Sequence, residues 1–456
     1  NIYVPKLELK VMIKNLIRYE KIIEILFFLS LTLVFLDSYE FMEFPLTWLG
    51  NFLIVGICIF IFIKERMRTN LLLLLVIFTT MLPTIFNLFT FDFISSEIIY
   101  TITRVASYLG FIITFFVISK SQFKNIIFKN LTNVFYLVIA LSIYTYFAQL
   151  FNFYEPYRNR PGTGILGFDI QTNFWITDSH RMMGTFREPV FLVSILFPSF
   201  LVIHYKSINT TFFYFLSAVL FGLTKSELSL ILLLAFLFVE IILTKKLNLK
   251  VLIFLIVFFL GFFIPINECD ISPQNYECPQ NNDIETTNDS YDEDLENQLT
   301  SPKDFEFQNR ERLDSVEFFT DFLSENTGYG FQSTNQIYTS YLAKEVNNEM
   351  YLTNRTLPEY LNVRYLSGSF GTGRYFLTYE NINLQNNFMF NLFSIGMIYL
   401  IILFCIILFS LQNNLQNGIK ITFILFSVAI ASIEDLLPIY GLYLSLMFTM
   451  DQNEDK

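Results

Sequence analysis

The sequence has few of the residues on which many soluble enzymes depend. Its 456 residues include 2 His and 4 Cys, too few for a zinc-finger array, a disulfide scaffold or a His/Cys-ligated metal enzyme. Only 16% of the residues are charged, whereas soluble domains carry about a quarter. This composition argues against a soluble enzyme.

The sequence is rich in apolar residues. Hydrophobic residues make up 53% of the chain, and Phe alone occurs 55 times, more often than one globular core can bury. The formal charge of −11 is unevenly distributed, because 21 acidic and 7 basic residues lie between Asn267 and Asn386, against 20 acidic and 23 basic residues elsewhere. The chain therefore divides into an apolar body and one acidic segment.

Apolar runs of about 20 residues can cross a bilayer as helices, and the runs in this sequence predict an all-α polytopic membrane protein. We count about 12 transmembrane helices. Eight runs are long: Ile22–Leu36, Leu46–Ile63, Leu71–Phe89, Ile98–Ile118, Leu131–Leu150, Leu228–Thr244, Val251–Ile266 and Asn387–Leu411. Four are shorter: Val190–His204, Thr211–Leu223, Ile419–Ile433 and Leu436–Met450.

These runs predict three regions. Residues 1–266 form a membrane domain with nine helices and an outer loop at 151–189. Residues 267–386 form a large, mostly helical outer loop domain before the tenth helix, and residues 387–456 form the last membrane helices.

The distribution of Lys and Arg predicts the orientation. When the segments are assigned alternately to the two sides from a cytoplasmic N-terminus, the short outer turns Asp37–Pro45, Thr90–Glu97 and Glu434–Leu437 contain neither residue, whereas Lys is frequent in the inner segments. Short loops rich in Lys and Arg stay on the cytoplasmic side. We therefore expect both termini inside and the two long loops outside.

Arginine is concentrated on the predicted outer side. A guanidinium group can donate two parallel hydrogen bonds to phosphate oxygens and remains charged when partly desolvated. The accumulation of Arg on one side therefore suggests a site for a phosphate-bearing ligand. The alternative is pairing with the carboxylates of the loop, which we favour for Arg355 and Arg364. The nine outer residues among the 13 Arg are Arg158, Arg160, Arg181, Arg187, Arg310, Arg312, Arg355, Arg364 and Arg374.

The strongest motif precedes the sixth predicted crossing. It reads Arg-x-x-Gly-x-Phe-x-Glu-Pro from Arg181 to Pro189. Pro189 suits the first turn of a helix, which would place Arg187 and Glu188 at a helix N-terminus, where anions bind. Gly184 allows a close approach of the backbone. This motif resembles that of the bacterial O-antigen polymerase and O-antigen ligase superfamily.

Three further stretches extend the resemblance over nearly the whole chain. Leu223–Ser226 is similar to a polar turn between two helices that usually reads Ser-Arg in the family, although here Lys225 precedes the Ser. Arg310 or Arg312, followed by Gly328–Phe331, resembles the family's Arg, helix and Gly-x-Gly. The stretch Gln385-Asn386-Asn387-Phe388 with Gly396 matches the family's His-Asn followed by a helix and Gly.

The resemblance implies polymerisation of undecaprenyl-diphosphate-linked oligosaccharide at the periplasmic face of the bacterial inner membrane. No metal, no cofactor and no nucleic-acid partner are expected; membrane lipid is an expected partner, and a chain-length regulator protein is a possible one. Arginine in a dry site stabilises a departing diphosphate, and an acceptor hydroxyl needs a base. The predicted catalytic residues are Arg181, Arg187, Glu188, Arg310 and Arg312.

A second group of residues is predicted to bind substrate. Arg104 lies in the fourth crossing, where an ionisable group is a functional candidate, although its long side chain can also reach outward to the interface. His180 is an alternative base to Glu188, with a solvated loop residue as the plainer interpretation. The full group is His180, Lys225, Arg104, Asn386 and Arg374.

Other functions compete with polymerisation. The ligase branch, which moves glycan to lipid A-core, has a His where Gln385 stands, and an amide cannot accept a proton at neutral pH. A non-catalytic flippase would need cations between its helices rather than on outer loops. A metal-dependent glycosyltransferase could use Asp37, Glu40 and Glu43 as ligands, although three carboxylates on a short turn are more often plain surface.

Overall fold

The computed structural model describes residues 6–41, 44–68, 71–87, 95–151, 181–186, 189–206, 210–245, 248–263, 328–331, 387–431 and 437–448. Nearly all of these residues are helical, and each predicted apolar run coincides with at least one helix. The predicted loop domain at 267–386 lies outside the described residues, except for 328–331.

The helices of the described residues are numbered here in chain order. They are α1 (Lys6–Val34), α2 (Leu46–Lys64), α3 (Leu71–Asn87), α4 (Ser95–Lys120), α5 (Lys124–Phe151), α6 (Pro189–Lys206), α7 (Thr211–Leu223), α8 (Glu227–Thr244), α9 (Leu249–Phe263), α10 (Asn387–Ile395), α11 (Met397–Asn413), α12 (Leu415–Ala431) and α13 (Pro438–Phe448). Between α1 and α2, the two-residue strands β1 (Glu40–Phe41) and β2 (Phe44–Pro45) pair antiparallel.

Five of these helices are long and apolar enough to cross a membrane, judged by length and composition. They cover Leu46–Lys64, Thr101–Lys120, Lys124–Phe147, Pro189–Lys206 and Glu227–Thr244. Six other apolar helices in the described part of the chain are 10–17 residues long, shorter than the roughly 20 residues that a perpendicular crossing requires. The fold class is therefore confirmed as helical and compatible with a membrane, while the count of about 12 crossings stays a prediction.

The predicted crossing Asn387–Leu411 is divided into α10 and α11, because the chain breaks at Gly396. This residue has φ 86° and ψ −168°, a conformation open in practice only to Gly. Next to the break, the backbone N–H groups of Tyr329 and Gly330 donate to the carbonyl oxygens of Phe393 and Ser394 at 2.8 and 2.9 Å. A segment from the large loop thus satisfies carbonyls at the helix end.

Small residues let neighbouring helices approach closely. Gly222 of α7 lies against the backbone of Phe258 on α9, and Gly441 of α13 lies against the carbonyl of Phe111 on α4. In lipid, where helix association is not driven by burial of apolar surface from water, apolar helices associate through close packing of this kind. The hydroxyl of Tyr443 on α13 also donates to the carbonyl oxygen of Ile195 on α6 at 3.1 Å. These contacts join α4, α13 and α6 into one body.

Candidate functional site

The first part of the predicted motif is a buried segment before α6, which we call the Arg181 segment (residues 181–186). Met182, Thr185 and Phe186 are at most 1% exposed. The backbone N–H of Ser38, in the turn after α1, donates to the carbonyl oxygen of Thr185 at 2.9 Å, and the Thr185 hydroxyl donates to the carbonyl oxygen of Phe35. The end of α1 therefore holds one end of the segment in place.

Gly184 is required where it stands. Its φ of 58° lies in the left-handed region, and a Cβ at this position would collide with the hydroxyl of Ser142 on α5 and lie 3.1 Å from a methyl carbon of Leu192 on α6. The predicted close backbone approach at Gly184 is thus present in the structure. It brings the segment against α5 and the start of α6.

The other end of the Arg181 segment rests on the turn between α7 and α8. The backbone N–H of Met182 donates to the carbonyl oxygen of Leu223 at 2.8 Å, and Arg181 Nε donates to the carbonyl oxygen of Thr224 at 3.1 Å. This turn is the Leu223–Ser226 stretch. Two predicted site residues therefore meet at this short turn: Lys225 is part of it, and Arg181 is hydrogen-bonded to it.

The turn also presents the N-terminal end of α8. Lys225 has a φ of 47°, an uncommon conformation for a residue with a side chain that often marks functional sites. Ser226 follows at the N-cap position of α8 but makes no capping hydrogen bond with its side chain; it is 1% exposed, and its hydroxyl has no hydrogen-bond partner among the described residues. A helix N-terminus carries partial positive charge and attracts anions. The Glu227 carboxylate in the first turn offsets part of this positive charge.

Arg104 belongs to a different cluster. Its guanidinium carbon lies 3.7 Å from the centre of the Phe390 ring on α10. Phe390 in turn lies 6.0 Å from the ring of Phe331, which also packs against Tyr108 of α4 at 5.7 Å. The described contacts of Arg104 and Arg181 are thus with different elements.

The Gly328–Phe331 stretch is fixed against α3 and the end of α10 at this second cluster. Gly328 packs against the backbone of Ser394, Ile395 and Gly396. The backbone N–H of Phe331 donates to the hydroxyl of Thr84 on α3 at 3.1 Å. The Gly-x-Gly of the predicted motif therefore serves a close approach of two backbones beside the break at Gly396.

The remaining predicted site residues lie outside the described residues. They are Arg187, Glu188, His180, Arg310, Arg312, Arg374 and Asn386. Their convergence with Arg181 stays a prediction. Pro189, next to Glu188, is the first residue of α6, as its position in the motif predicted.

No family model matches the chain. Neither a curated protein nor a solved structure matches it.

The surroundings of Asp37 do not support its role as a metal ligand in the metal-dependent alternative. That residue is 7% exposed, and its Oδ1 accepts a hydrogen bond from the Thr47 hydroxyl at 3.1 Å. The same hydroxyl lies 3.1 Å from the carbonyl oxygen of Val34, so Asp37 helps to close the turn between α1 and α2. Among the described side chains, which include neither Glu40 nor Glu43, no group of three His, Cys, Asp or Glu residues could hold a metal ion.

Sequence reasoning missed a polar cluster inside the apolar body. His204 of α6 contacts Tyr214 of α7 and Glu240 of α8. A signal was available, because Glu240 is the only acidic residue within the run Leu228–Thr244 and ionisable residues in such runs are functional candidates by default.

Replacing Phe331 with Ala is expected to destabilise the protein by about 3 kcal/mol or more, since truncating a buried Phe removes its contacts and leaves a cavity. Phe331 is 3% exposed. The free energy of unfolding in detergent measures the effect. Phe404→Ala is the control, because Phe404 is 60% exposed on α11; equal losses in both variants would contradict the anchoring role of Phe331.

Proposed function

We propose that this protein polymerises undecaprenyl-diphosphate-linked oligosaccharide units, with the Arg181 segment and the α7–α8 turn holding the diphosphate. The observation that supports this most directly is the hydrogen bond from Arg181 Nε to the carbonyl oxygen of Thr224. It fixes a guanidinium beside Lys225 and the N-terminal end of α8. Two cations and a helix N-terminus are together a suitable site for an anion.

The reaction transfers a glycan from one lipid carrier to a sugar hydroxyl on another. The hydroxyl oxygen bonds to the anomeric carbon, while the bond from that carbon to the diphosphate oxygen breaks and its electron pair leaves with the diphosphate. Positive groups fixed in advance stabilise this developing charge without reorganisation. Arg181 would act here, together with Arg187, Arg310 and Arg312 from the two loops.

The hydroxyl proton requires an acceptor on the same side. Glu188 is preferred, because it belongs to the motif and directly precedes α6, and His180 is the alternative. Lys225, Arg104, Arg374 and Asn386 would bind the remaining parts of the lipid-linked substrates. In this proposal the chain crosses the inner membrane about 12 times, with both termini in the cytoplasm and the site at the periplasmic face.

A reconstituted assay tests the function. The purified full-length protein in lipid vesicles is given only the lipid-diphosphate oligosaccharide, with EDTA present. We expect a ladder of longer lipid-linked products, because one substrate molecule serves as donor and another as acceptor. Product formation only after lipid A-core is added would show that the protein is a ligase and not a polymerase. Product formation only with an added divalent metal would overturn the metal-independent mechanism.

A further inference from the structure

Three buried hydroxyl groups lie at the N-terminal end of α8, and they differ in their hydrogen bonds. The Thr224 hydroxyl donates to the carbonyl oxygen of Phe221 at 2.6 Å, and the Ser229 hydroxyl donates to the carbonyl oxygen of Ser226 at 2.6 Å. The Ser226 hydroxyl is buried as well, but it has no hydrogen-bond partner among the described residues. Buried polar groups in native proteins nearly always have a partner, so this hydroxyl calls for a group that completes its hydrogen bonding.

The backbone at this end of α8 adds further donors. A Ser at the N-cap position ordinarily accepts a hydrogen bond from an N–H group two or three residues later, but the Ser226 side chain makes no such bond. The N–H of Leu230 donates to the carbonyl oxygen of Ser226 at 3.2 Å. The N–H groups of the residues between them, Glu227, Leu228 and Ser229, precede this helical bond. A ligand here meets one hydroxyl and several N–H groups, and a phosphate group, whose oxygens are acceptors, complements them.

The charges around Ser226 favour an anion. Lys225 directly precedes Ser226, and Arg181 Nε donates to the carbonyl oxygen of Thr224 at 3.1 Å. The Glu227 carboxylate opposes an anion, but Glu227 is exposed, whereas Arg181 and Lys225 are half-buried. Exposed charges are screened more strongly than partly buried ones. The two cations therefore outweigh the one carboxylate at this end of α8.

We propose that the Ser226 hydroxyl donates a hydrogen bond to a phosphate oxygen of a bound diphosphate group, beside the N–H groups at the start of α8. A hydroxyl has one O–H donor, and a phosphate oxygen supplies a charged acceptor, with which hydrogen bonds are strongest. This inference rests on the proposed function for the kind of ligand. It adds the residue that fixes the diphosphate on α8, in addition to the cations beside it.

Binding of radiolabelled undecaprenyl diphosphate, without a glycan, to the full-length protein in detergent tests the proposal. Ser226→Ala is expected to weaken binding about 10- to 100-fold, the effect of losing one hydrogen bond to a charged group. Inorganic diphosphate is the second probe. The same weakening for both probes would show that the diphosphate group alone is recognised, and weakening for the lipid alone would show that the ligand is the lipid-linked form.

Two results of the binding experiment would overturn the proposal. One is equal binding of undecaprenyl diphosphate by the wild type and Ser226→Ala, which would leave an ordered water molecule as the partner of the hydroxyl. The other is a wild type that binds neither probe. Binding that depends on Ser226, without any ladder of products in the reconstituted assay, would keep this site and reject the polymerase.

The free energy of unfolding in detergent separates this role from a structural one. Without ligand, Ser226→Ala removes a hydroxyl that has no partner among the described residues, so the variant should be at least as stable as the wild type. With undecaprenyl diphosphate, the wild type should gain more stability than the variant, because the gain increases with affinity. A loss of stability in the ligand-free variant would contradict the proposal, because it would show a structural role for the hydroxyl.

Ser217→Ala is the matched control. Ser217 is also fully buried, and its hydroxyl likewise has no partner among the described residues, but it lies within α7, several residues before the turn. Its removal should leave the affinity for undecaprenyl diphosphate unchanged. An equal loss of affinity in Ser217→Ala and Ser226→Ala would contradict the specific role of Ser226.

Discussion

Replacing Arg181 with Ala is expected to slow polymer formation by on the order of 10²–10³-fold, the usual effect of removing one fixed donor from a site that stabilises developing negative charge. Arg181 is the predicted catalytic residue that the structure describes, and its Nε is bonded to the carbonyl oxygen of Thr224. The reconstituted assay with lipid-diphosphate oligosaccharide measures the rate. Membrane insertion and thermal stability should change little, because Arg181 is only half-buried.

Arg181→Lys separates charge from geometry. Lysine keeps the positive charge but has neither the Nε–H nor the planar pair of donors, so we expect a rate between those of the wild type and Arg181→Ala. Arg68→Ala is the control, because Arg68 is exposed after α2 and should leave the rate unchanged. A near-normal rate for Arg181→Ala would remove the main support for the proposed function.

Replacing Gly184 with Ala is expected to lower the same rate by on the order of 10²-fold, which a displacement of about 1 Å in a positioned group can cause. The new methyl group would collide with the Ser142 hydroxyl, and the left-handed conformation adds about 1–2 kcal/mol of strain. The Arg181 segment must shift to relieve both effects. The rate and the free energy of unfolding in detergent are measured together.

Gly56→Ala is the matched control for this substitution. Gly56 lies within α2, and a Cβ there would meet no atom within 4 Å, so stability should be unchanged or slightly higher because Ala favours helix over Gly. Normal polymer formation by Gly184→Ala would show that the buried position of the segment does not determine the position of Arg181. The role of Arg181 itself is tested separately by Arg181→Ala.

Much of the helical architecture could be predicted from local sequence. The apolar runs Leu46–Ile63 and Leu228–Thr244 correspond closely to α2 and α8, because about 20 consecutive apolar residues have few alternatives to a buried or lipid-facing helix. The break at Gly396 was not predicted, since the apolar pattern continues on both sides of it. What stabilises the break is a loop segment distant in sequence, whose N–H groups bond Phe393 and Ser394.

The candidate site was predicted only in its parts. The motif from Arg181 to Pro189 and the turn at Lys225 were both found in the sequence, yet the hydrogen bond that joins them spans 43 positions. Arg104 was predicted to bind substrate, but its position over Phe390 had no sequence signal. The pairing of His204 with Glu240, 36 positions apart, was missed for the same reason.

The sequence by itself determined that this chain is helical and apolar enough for a membrane. Both the formation of a helix and the transfer of its apolar side chains from water into lipid depend on residues within a few turns of one another. It also determined where a close backbone approach is possible, because only glycine permits it at Gly184. The tertiary structure decided which elements meet: Arg181 with the N-terminal end of α8, Phe331 with α10, and His204 with Glu240. Such contacts depend on how whole helices pack, which no local pattern of residues specifies.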